Sequence, residues 1–103
     1  MLDFIRIACA VPAVKVGDVE KNARDICAFI EKADAQNVDL IVFPELSLTG
    51  YSCGDLFFQD TLLTGAQEQL YRIAEESEEL DGLIFVGLPW KKDGRLYNVT
   101  AAI

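Results

Sequence analysis

The chain contains three mostly apolar runs, and each has the length and composition of a buried β-strand. They cover residues 5–11, 38–43 and 83–90. Pro12 ends the first run and Pro44 ends the second, because proline cannot donate a hydrogen bond to a sheet ladder. We therefore predict three strands, and the continuous apolar character of the first predicts that it is buried on both faces.

Between these runs, apolar residues recur at spacings of three and four, which is the period of an α-helix. The first such segment follows Gly17 and Asp18, which offer a turn and a helix N-cap, and it closes at Asn37. The second segment covers residues 60–80. A strand, helix, strand order implies parallel strands joined by a crossover. The pattern therefore predicts an α/β fold.

The end of the chain predicts a β-hairpin. The run LIFVGLPW is followed by KKDGR, whose Asp-Gly pair is a turn signal, and then by a strand-like segment at residues 96–103. No internal repeat or linker divides the chain, and its last residues are apolar. Since domains usually end in polar, flexible segments, we expect residues 1–103 to be the N-terminal part of a larger domain.

The charge of the chain argues against two classes of partner. The sequence has 17 acidic and 9 basic residues, a formal net charge of -8. Nucleic acids and anionic membranes are bound by clustered lysine and arginine, so we expect neither as a partner. Much of the acidic charge lies at residues 75–81, which we interpret as a solvated helix end. No apolar run approaches the length of a transmembrane helix.

The chain contains no histidine, which leaves carboxylates, lysines and tyrosines as candidates for a general base. Its cysteines, Cys9, Cys27 and Cys53, are irregularly spaced and match no zinc-binding pattern. We expect no metal site, and reduced thiols in a cytoplasmic protein. Cys9 and Cys27 lie on apolar faces and are predicted to be core residues. Cys53 is predicted to be a loop thiol without a catalytic role.

Glu45 is the strongest catalytic candidate. It follows the apolar run 38–43 after a single proline, and the ligands of parallel α/β sheets gather at the carboxyl ends of the strands. A glutamate held there among apolar groups would be desolvated and suited to proton transfer. On the pattern alone, a solvated loop residue is the more frequent explanation of such a glutamate.

The sequence around Glu45, VDLIVFPELSLTGY, resembles the signature around the catalytic glutamate of the nitrilase, or carbon-nitrogen hydrolase, superfamily. Residues 17–33 are similar to the same family, with Asn22 at the position of the family's helix asparagine, as are the segments GLIFVGLPW and LYNVTAAI. The continuation YSCGDLFFQ is similar to one branch of that superfamily, the glutamine-dependent NAD synthetases. The resemblance therefore extends over essentially the whole chain.

This resemblance implies the first part of a four-layer αββα sandwich and a Glu-Lys-Cys triad, in which a cysteine thiolate attacks the carboxamide carbon of glutamine. Glu45 would move the protons. Tyr51 would line the substrate pocket, although an aromatic plug that packs the loop onto the core explains this tyrosine equally well. In the family, the lysine follows the last strand seen here and the nucleophilic cysteine comes much later, so the resemblance gives neither a counterpart in this chain. Lys91 and Lys92 lie in a predicted turn and are not assigned the role of the family's lysine. We expect the chain by itself to be inactive.

For the amidohydrolase step, the resemblance implies a small carboxamide as substrate and no cofactor. ATP and Mg are expected only in a synthetase domain that is absent from this chain and that would use the released ammonia. We expect a homo-oligomer, since an incomplete sandwich exposes apolar area that favours association. Two alternatives stay open: a stand-alone amidase or carbamoylase of the same superfamily, and a truncated chain that performs no chemistry.

Overall fold

The computed structural model of the protein describes residues 4–103. In chain order its elements are β1 (Ile7–Cys9), α1 (Val19–Ala35), β2 (Leu40–Val42), a short 3₁₀ helix (Gly54–Phe58), α2 (Asp60–Glu76), β3 (Leu83–Lys92) and β4 (Arg95–Ala102). The strands form one four-stranded sheet in the order β1-β2-β3-β4. β1, β2 and β3 are parallel, and β4 is antiparallel to β3. The predicted element order is confirmed, apart from the 3₁₀ helix, which the sequence pattern did not indicate.

The first helix begins after Asp18 and ends before Asn37, as the sequence predicts. The Asp18 carboxylate accepts a hydrogen bond from the Lys21 backbone N–H at 3.1 Å, which satisfies one free donor of the first turn. Asn37 has a φ of 57°, a left-handed conformation that asparagine tolerates, and the chain leaves the helix there. The second helix stops at Glu76, four residues earlier than the predicted end at Leu80, and the acidic residues that follow are exposed as expected.

Both helices pack against the same face of the sheet. Ile26 of α1 and Ile73 of α2 are fully buried, and they share one hydrophobic cluster with Val86 and Leu88 of β3. Side chains alternate across a sheet, so every second residue of β3 points toward the helices and forms the core. None of the helices formed by residues 4–103 is long and apolar enough to cross a membrane.

The opposite face of the sheet is covered by neither helix, and this corrects two predictions. β1 lies at one edge of the sheet. It is not buried on both faces, because the side chain of Ile7 is 53% exposed. Cys9 is likewise exposed and is not a core residue. A strand is buried on both faces only where each face carries a layer, and residues 4–103 supply a helical layer on one face. Cys27, predicted to be a core residue, is half-buried between α1 and α2.

The predicted hairpin at the end of the chain is confirmed. Lys92 pairs with Arg95, and the residues between them are Asp93 and Gly94. Their φ values of 52° and 74° are both positive, as in a type I′ turn. That turn has the twist of the flanking strands, so it holds β4 beside β3 in a single register.

Candidate active site

Glu45 lies in the loop directly after β2, at the carboxyl end of the parallel strands. The Phe43 N–H still donates to the Phe85 carbonyl of β3 at 3.0 Å, so pairing continues almost to the glutamate. Beyond Glu45, the Leu48 N–H donates to the Gly87 carbonyl at 3.1 Å. Backbone hydrogen bonds to β3 on both sides of Glu45 therefore hold the loop at the carboxyl end of the parallel strands.

Gly87 is the residue of β3 that this loop crosses. Side chains alternate along the strand, so a side chain at position 87 would point away from the helices and toward the loop. A Cβ atom there would lie 2.6 Å from the Leu46 nitrogen and 2.7 Å from the Pro44 carbonyl oxygen. Only glycine permits so close an approach of two backbones. The Ser47 hydroxyl adds a hydrogen bond, accepting from the Gly87 N–H at 3.3 Å.

Leu46, immediately after Glu45, has a positive φ of 52°. This conformation is uncommon for a residue with a branched side chain, and it persists only where surrounding contacts impose it. The contacts here are a buried side chain and the hydrogen bond that the Leu46 carbonyl accepts from the Gly50 N–H at 2.8 Å. The backbone of the loop is thus closed in a tight turn that begins directly after the glutamate.

The Glu45 carboxylate contacts Asn98 of β4. The Asn98 side-chain amide donates a hydrogen bond through Nδ2 to Glu45 Oε1. Glu45 is nevertheless exposed, which corrects the prediction of a carboxylate desolvated among apolar groups. The reason is the open face of the sheet, on which Glu45 and Asn98 both lie. Within residues 4–103, Glu45 takes part in no ion pair.

A cleft of about 220 Å³ opens beside this pair of residues. Its lining is mostly apolar, with one side-chain amide, and consists of Leu46, Phe57, Pro89, Leu96, Tyr97 and Asn98. Sites for small molecules are commonly concave and largely apolar, with few polar groups that orient the ligand. The cleft therefore offers a binding surface next to the candidate base.

Tyr51 does not line this cleft. Its side chain is 72% exposed, so it is not an aromatic plug that packs the loop onto the core. Cys53, by contrast, is buried, and its thiol donates to the carbonyls of Thr49 and Gly50 at 3.1 and 3.4 Å. The loop after Glu45 is therefore anchored by Cys53 and presents Tyr51 outward. The role of Tyr51 in substrate binding stays a prediction.

The lysines near the hairpin were predicted to lie in a turn, and this prediction is wrong, because they lie on a strand. Lys91 and Lys92 are the last residues of β3, and both are exposed. The Lys91 ammonium lies 3.4 Å from the Asp60 carboxylate, an ion pair open to solvent. In the part of the chain that the structure describes, no three His, Cys, Asp or Glu side chains are grouped to hold a metal ion.

The sequence pattern singled out Glu45 but missed Asn98 and Gly87. Both left a signal. A glycine inside an apolar strand often marks the close approach of another backbone, as Gly87 does. The alternation of LYNVTAAI places Asn98 on the same face as Leu96 and Thr100, opposite the face that packs on the helices. What the pattern lacks is the register that brings positions 45 and 98 together.

The carbon-nitrogen hydrolase family model matches residues 6–103, and the chain belongs to this family. The predicted nitrilase-type α/β fold and the resemblance to this family are thus confirmed. Among curated relatives, the glutamine-dependent NAD(+) synthetase of Mycobacterium tuberculosis (strain H37Rv) is 33% identical over 100 residues, which are 97% of this chain and 15% of the relative. That of Xylella fastidiosa (strain 9a5c) is 36% identical over 104 residues, which are 100% of this chain and 19% of the relative.

Solved structures agree with this assignment. A glutamine-dependent NAD(+) synthetase from Cytophaga hutchinsonii matches with a TM-score of 0.90 and 35% identity, over 96% of this chain and 17% of that one. An amidase from Nesterenkonia sp. matches with a TM-score of 0.70 and 21% identity, over 95% of this chain and 36% of that one, and this likeness shows the fold alone. The chain thus spans 15% to 19% of the length of the synthetases it matches.

Proposed function

We propose that this chain supplies the glutamate-bearing part of a glutamine amidohydrolase, which releases ammonia for ATP-dependent NAD synthesis. The observation that carries the proposal is the Glu45 carboxylate, held by Asn98 at the carboxyl end of a parallel strand in a carbon-nitrogen hydrolase chain. The synthetases of similar sequence, at 33% and 36% identity, support this activity over that of a stand-alone amidase.

In the proposed reaction, Glu45 takes the proton of a cysteine thiol, and the thiolate attacks the carboxamide carbon of glutamine. The tetrahedral intermediate expels ammonia, which leaves with the proton from Glu45, and a thioester remains. Glu45 then takes a proton from water, which attacks the thioester and releases glutamate, and the thiol recovers its proton. Every proton of the cycle therefore passes through this one carboxylate.

The other members of the triad lie outside these 103 residues. A lysine would stabilise the oxyanion of the tetrahedral intermediate, and a cysteine would be the nucleophile. None of the exposed lysines of the hairpin is assigned this role. We propose that the chain by itself is inactive, and that Tyr51, on the loop after Glu45, borders the glutamine pocket of the complete protein.

No step of amide hydrolysis in this scheme requires a cofactor. ATP and Mg would act only in a separate synthetase domain, where the ammonia is consumed, and no residue of this chain is assigned to them. The substrate is a small carboxamide, with neither nucleic acid nor membrane as a partner. The uncovered sheet face supports assembly with further protein, including a homo-oligomer.

The test is ammonia release from L-glutamine by the protein expressed from its intact gene. We expect turnover, and Glu45→Gln should lower kcat by about 10²- to 10⁴-fold, the usual contribution of a general base. Glu68→Gln, a change at an exposed glutamate of α2, should leave kcat as it is. Full activity of Glu45→Gln, or hydrolysis of acetamide or a carbamoyl amino acid in preference to glutamine, would contradict the proposal. Turnover by the isolated 103-residue chain would contradict its proposed inactivity.

A further inference from the structure

We infer that Asn98 is a positioning residue for Glu45: it occupies carboxylate oxygen Oε1 and leaves Oε2 as the atom that takes and returns the proton. The hydrogen bond from Asn98 Nδ2 to Glu45 Oε1 joins β4 to the loop after β2. Its catalytic meaning rests on the proposed function, whereas the hydrogen bond itself is a property of this chain. The two residues are far apart in the sequence, so the contact depends on how the sheet is assembled.

The register of the hairpin puts Asn98 within reach of the glutamate. Ile84 and Ile103 exchange two backbone hydrogen bonds, of 3.0 and 2.8 Å, and therefore form a hydrogen-bonded pair. Such pairs alternate with non-hydrogen-bonded pairs along an antiparallel ladder, so Pro89 and Asn98 form a non-hydrogen-bonded pair. Side chains approach more closely in these pairs. Pro89 also loses no ladder bond to β4, because its missing N–H would point the other way.

Gly87 clears the space in which the contact forms. It pairs with Thr100, so it is the diagonal neighbour of Asn98 on the face that the helices leave open. Position 87 carries no side chain, and the backbone of the Glu45 loop lies over it instead. The carboxylate thus reaches the Asn98 amide with no side chain between them. A one-residue slip of β4 would turn Asn98 to the helix side and abolish the contact.

The contact matters chemically because an exposed glutamate without partners samples several side-chain rotamers. A single amide donor that holds one carboxylate oxygen selects among these rotamers and directs the second oxygen. Asn98 also lines the cleft of about 220 Å³, so the same residue fixes the base relative to the cavity beside it. A displacement of reacting groups by about 1 Å lowers rates by about 10²-fold, which makes such positioning measurable.

Two substitutions distinguish an Asn98 that positions Glu45 through a donated hydrogen bond from an Asn98 that only fills space. Both are made in the protein expressed from its intact gene. Asn98→Ala removes the donor, and we expect kcat for glutamine hydrolysis to fall by about 10- to 100-fold with KM changed less than about threefold. Asn98→Asp keeps the shape but faces Glu45 with a second carboxylate, so kcat should fall further. If Asn98 only filled space, the similarly shaped Asp variant would be the milder of the two.

Thr100→Val is the matched control, because Thr100 lies on the same strand and face and makes no hydrogen bond to Glu45. We expect its kcat to stay within about twofold of the wild type, since an exposed substitution of similar shape perturbs little. An Asn98→Ala enzyme as active as Thr100→Val would overturn the inference and leave the proposed function intact. The reverse order of the Asp and Ala variants would overturn it as well.

A second measurement detects the hydrogen bond between Asn98 and Glu45 in the 103-residue chain and does not depend on enzymatic activity. The side-chain amide protons of Asn98 should shift in NMR spectra when Glu45 is changed to Ala and stay in place when Glu68 is changed to Ala. Unmoved resonances in Glu45→Ala overturn the inference. A native protein that releases no ammonia from glutamine overturns the proposed function, and with it the catalytic role of Asn98, even where the NMR contact is present.

Discussion

Gly87 lies directly beneath the backbone of Glu45. A Cβ atom at position 87 would stand 3.1 Å from the Glu45 carbonyl carbon and 2.6 Å from the nitrogen of the next residue. The glycine therefore serves close packing, since it is the absence of a side chain that lets the loop cross β3 there. The place of the candidate base is thus set by a residue with no functional group of its own.

Gly87→Ala should displace the loop of residues 44–48 and lower the free energy of unfolding by about 1–3 kcal/mol, as added methyl groups do in tightly packed sites. The backbone atoms that the new methyl would meet cannot move without breaking the hydrogen bonds from the loop to β3. Urea unfolding gives the stability, and amide NMR shifts of residues 44–48 report the displacement.

The control for this change is Gly65→Ala in α2. There the added methyl meets only a side-chain carbon of the half-buried Val19, at 3.1 Å, and no backbone atom of another element. Alanine is preferred over glycine in helices by about 1 kcal/mol, so this variant should be at least as stable as the wild type. Equal losses of stability in the two variants would contradict the role assigned to Gly87.

Asn22 ties the first helix to the loop that carries Glu45. It is 1% exposed, and its side chain donates to the carbonyls of Lys15 and Leu48 at 2.8 and 3.0 Å and accepts from the Lys15 N–H at 2.8 Å. Asn22→Leu has a similar size but leaves these backbone groups without a partner. We expect the free energy of unfolding to fall by about 3 kcal/mol in urea titrations.

Asn37→Gly is the matched asparagine control. Asn37 is exposed and has a φ of 57°, a conformation that glycine adopts freely. Its stability should stay within about 0.5 kcal/mol of the wild type, as for most surface substitutions. If Asn22→Leu lowered the free energy of unfolding as little as Asn37→Gly does, water would have to replace Asn22 as the partner of the Lys15 and Leu48 backbone groups.

Gln69 is a buried polar residue whose replacement should stabilise the protein. It is 8% exposed, and its Oε1 has no hydrogen-bond partner among residues 4–103. An unpaired buried carbonyl costs about 1–3 kcal/mol, and methionine has a similar length without that group. We expect Gln69→Met to raise Tm by about 4–8 °C for each kcal/mol gained, measured by calorimetry. Gln67→Met, at an exposed position of α2, should gain nothing, and a lower Tm for Gln69→Met would show that water reaches Oε1.

Cys27 makes a pH-dependent contribution at the contact between the helices. The pKa of its thiol is raised from 9.0 to about 12, mostly by burial and then by the hydrogen bond to Glu76 and the negative charges of Glu76 and Glu31, while Arg72 acts in the opposite direction. Hydrogen bonding to the thiol and proximity to Arg72 hold the pKa of Glu76 below its usual value. The folded protein thus keeps the thiol proton that the unfolded chain releases, so this stability is complete below pH 9.0 and is lost as the pH rises toward about 12.

Urea unfolding of the wild type and of Cys27→Ala between pH 8 and 12 tests this linkage. We expect the free energy of unfolding of the wild type to fall more steeply in that interval, because the variant lacks the titrating thiol. Equal slopes would contradict the raised pKa. Iodoacetamide should also label the exposed Cys9 in the native protein well before Cys27, since only thiolates react.

The pattern of the sequence by itself determined the strands and the two α-helices, their order and the position of the candidate base, but not the 3₁₀ helix. Caps such as Asp18 and Asn37, the Asp93-Gly94 turn and the helical and strand periods depend on neighbours along the chain, and those are all present in the sequence. Only the tertiary structure decided that β1 has an open face, that Cys9 is exposed and that Asn98 meets Glu45. Burial depends on which layers cover a sheet, and contacts across strands depend on register, and both arise from residues that are distant along the chain.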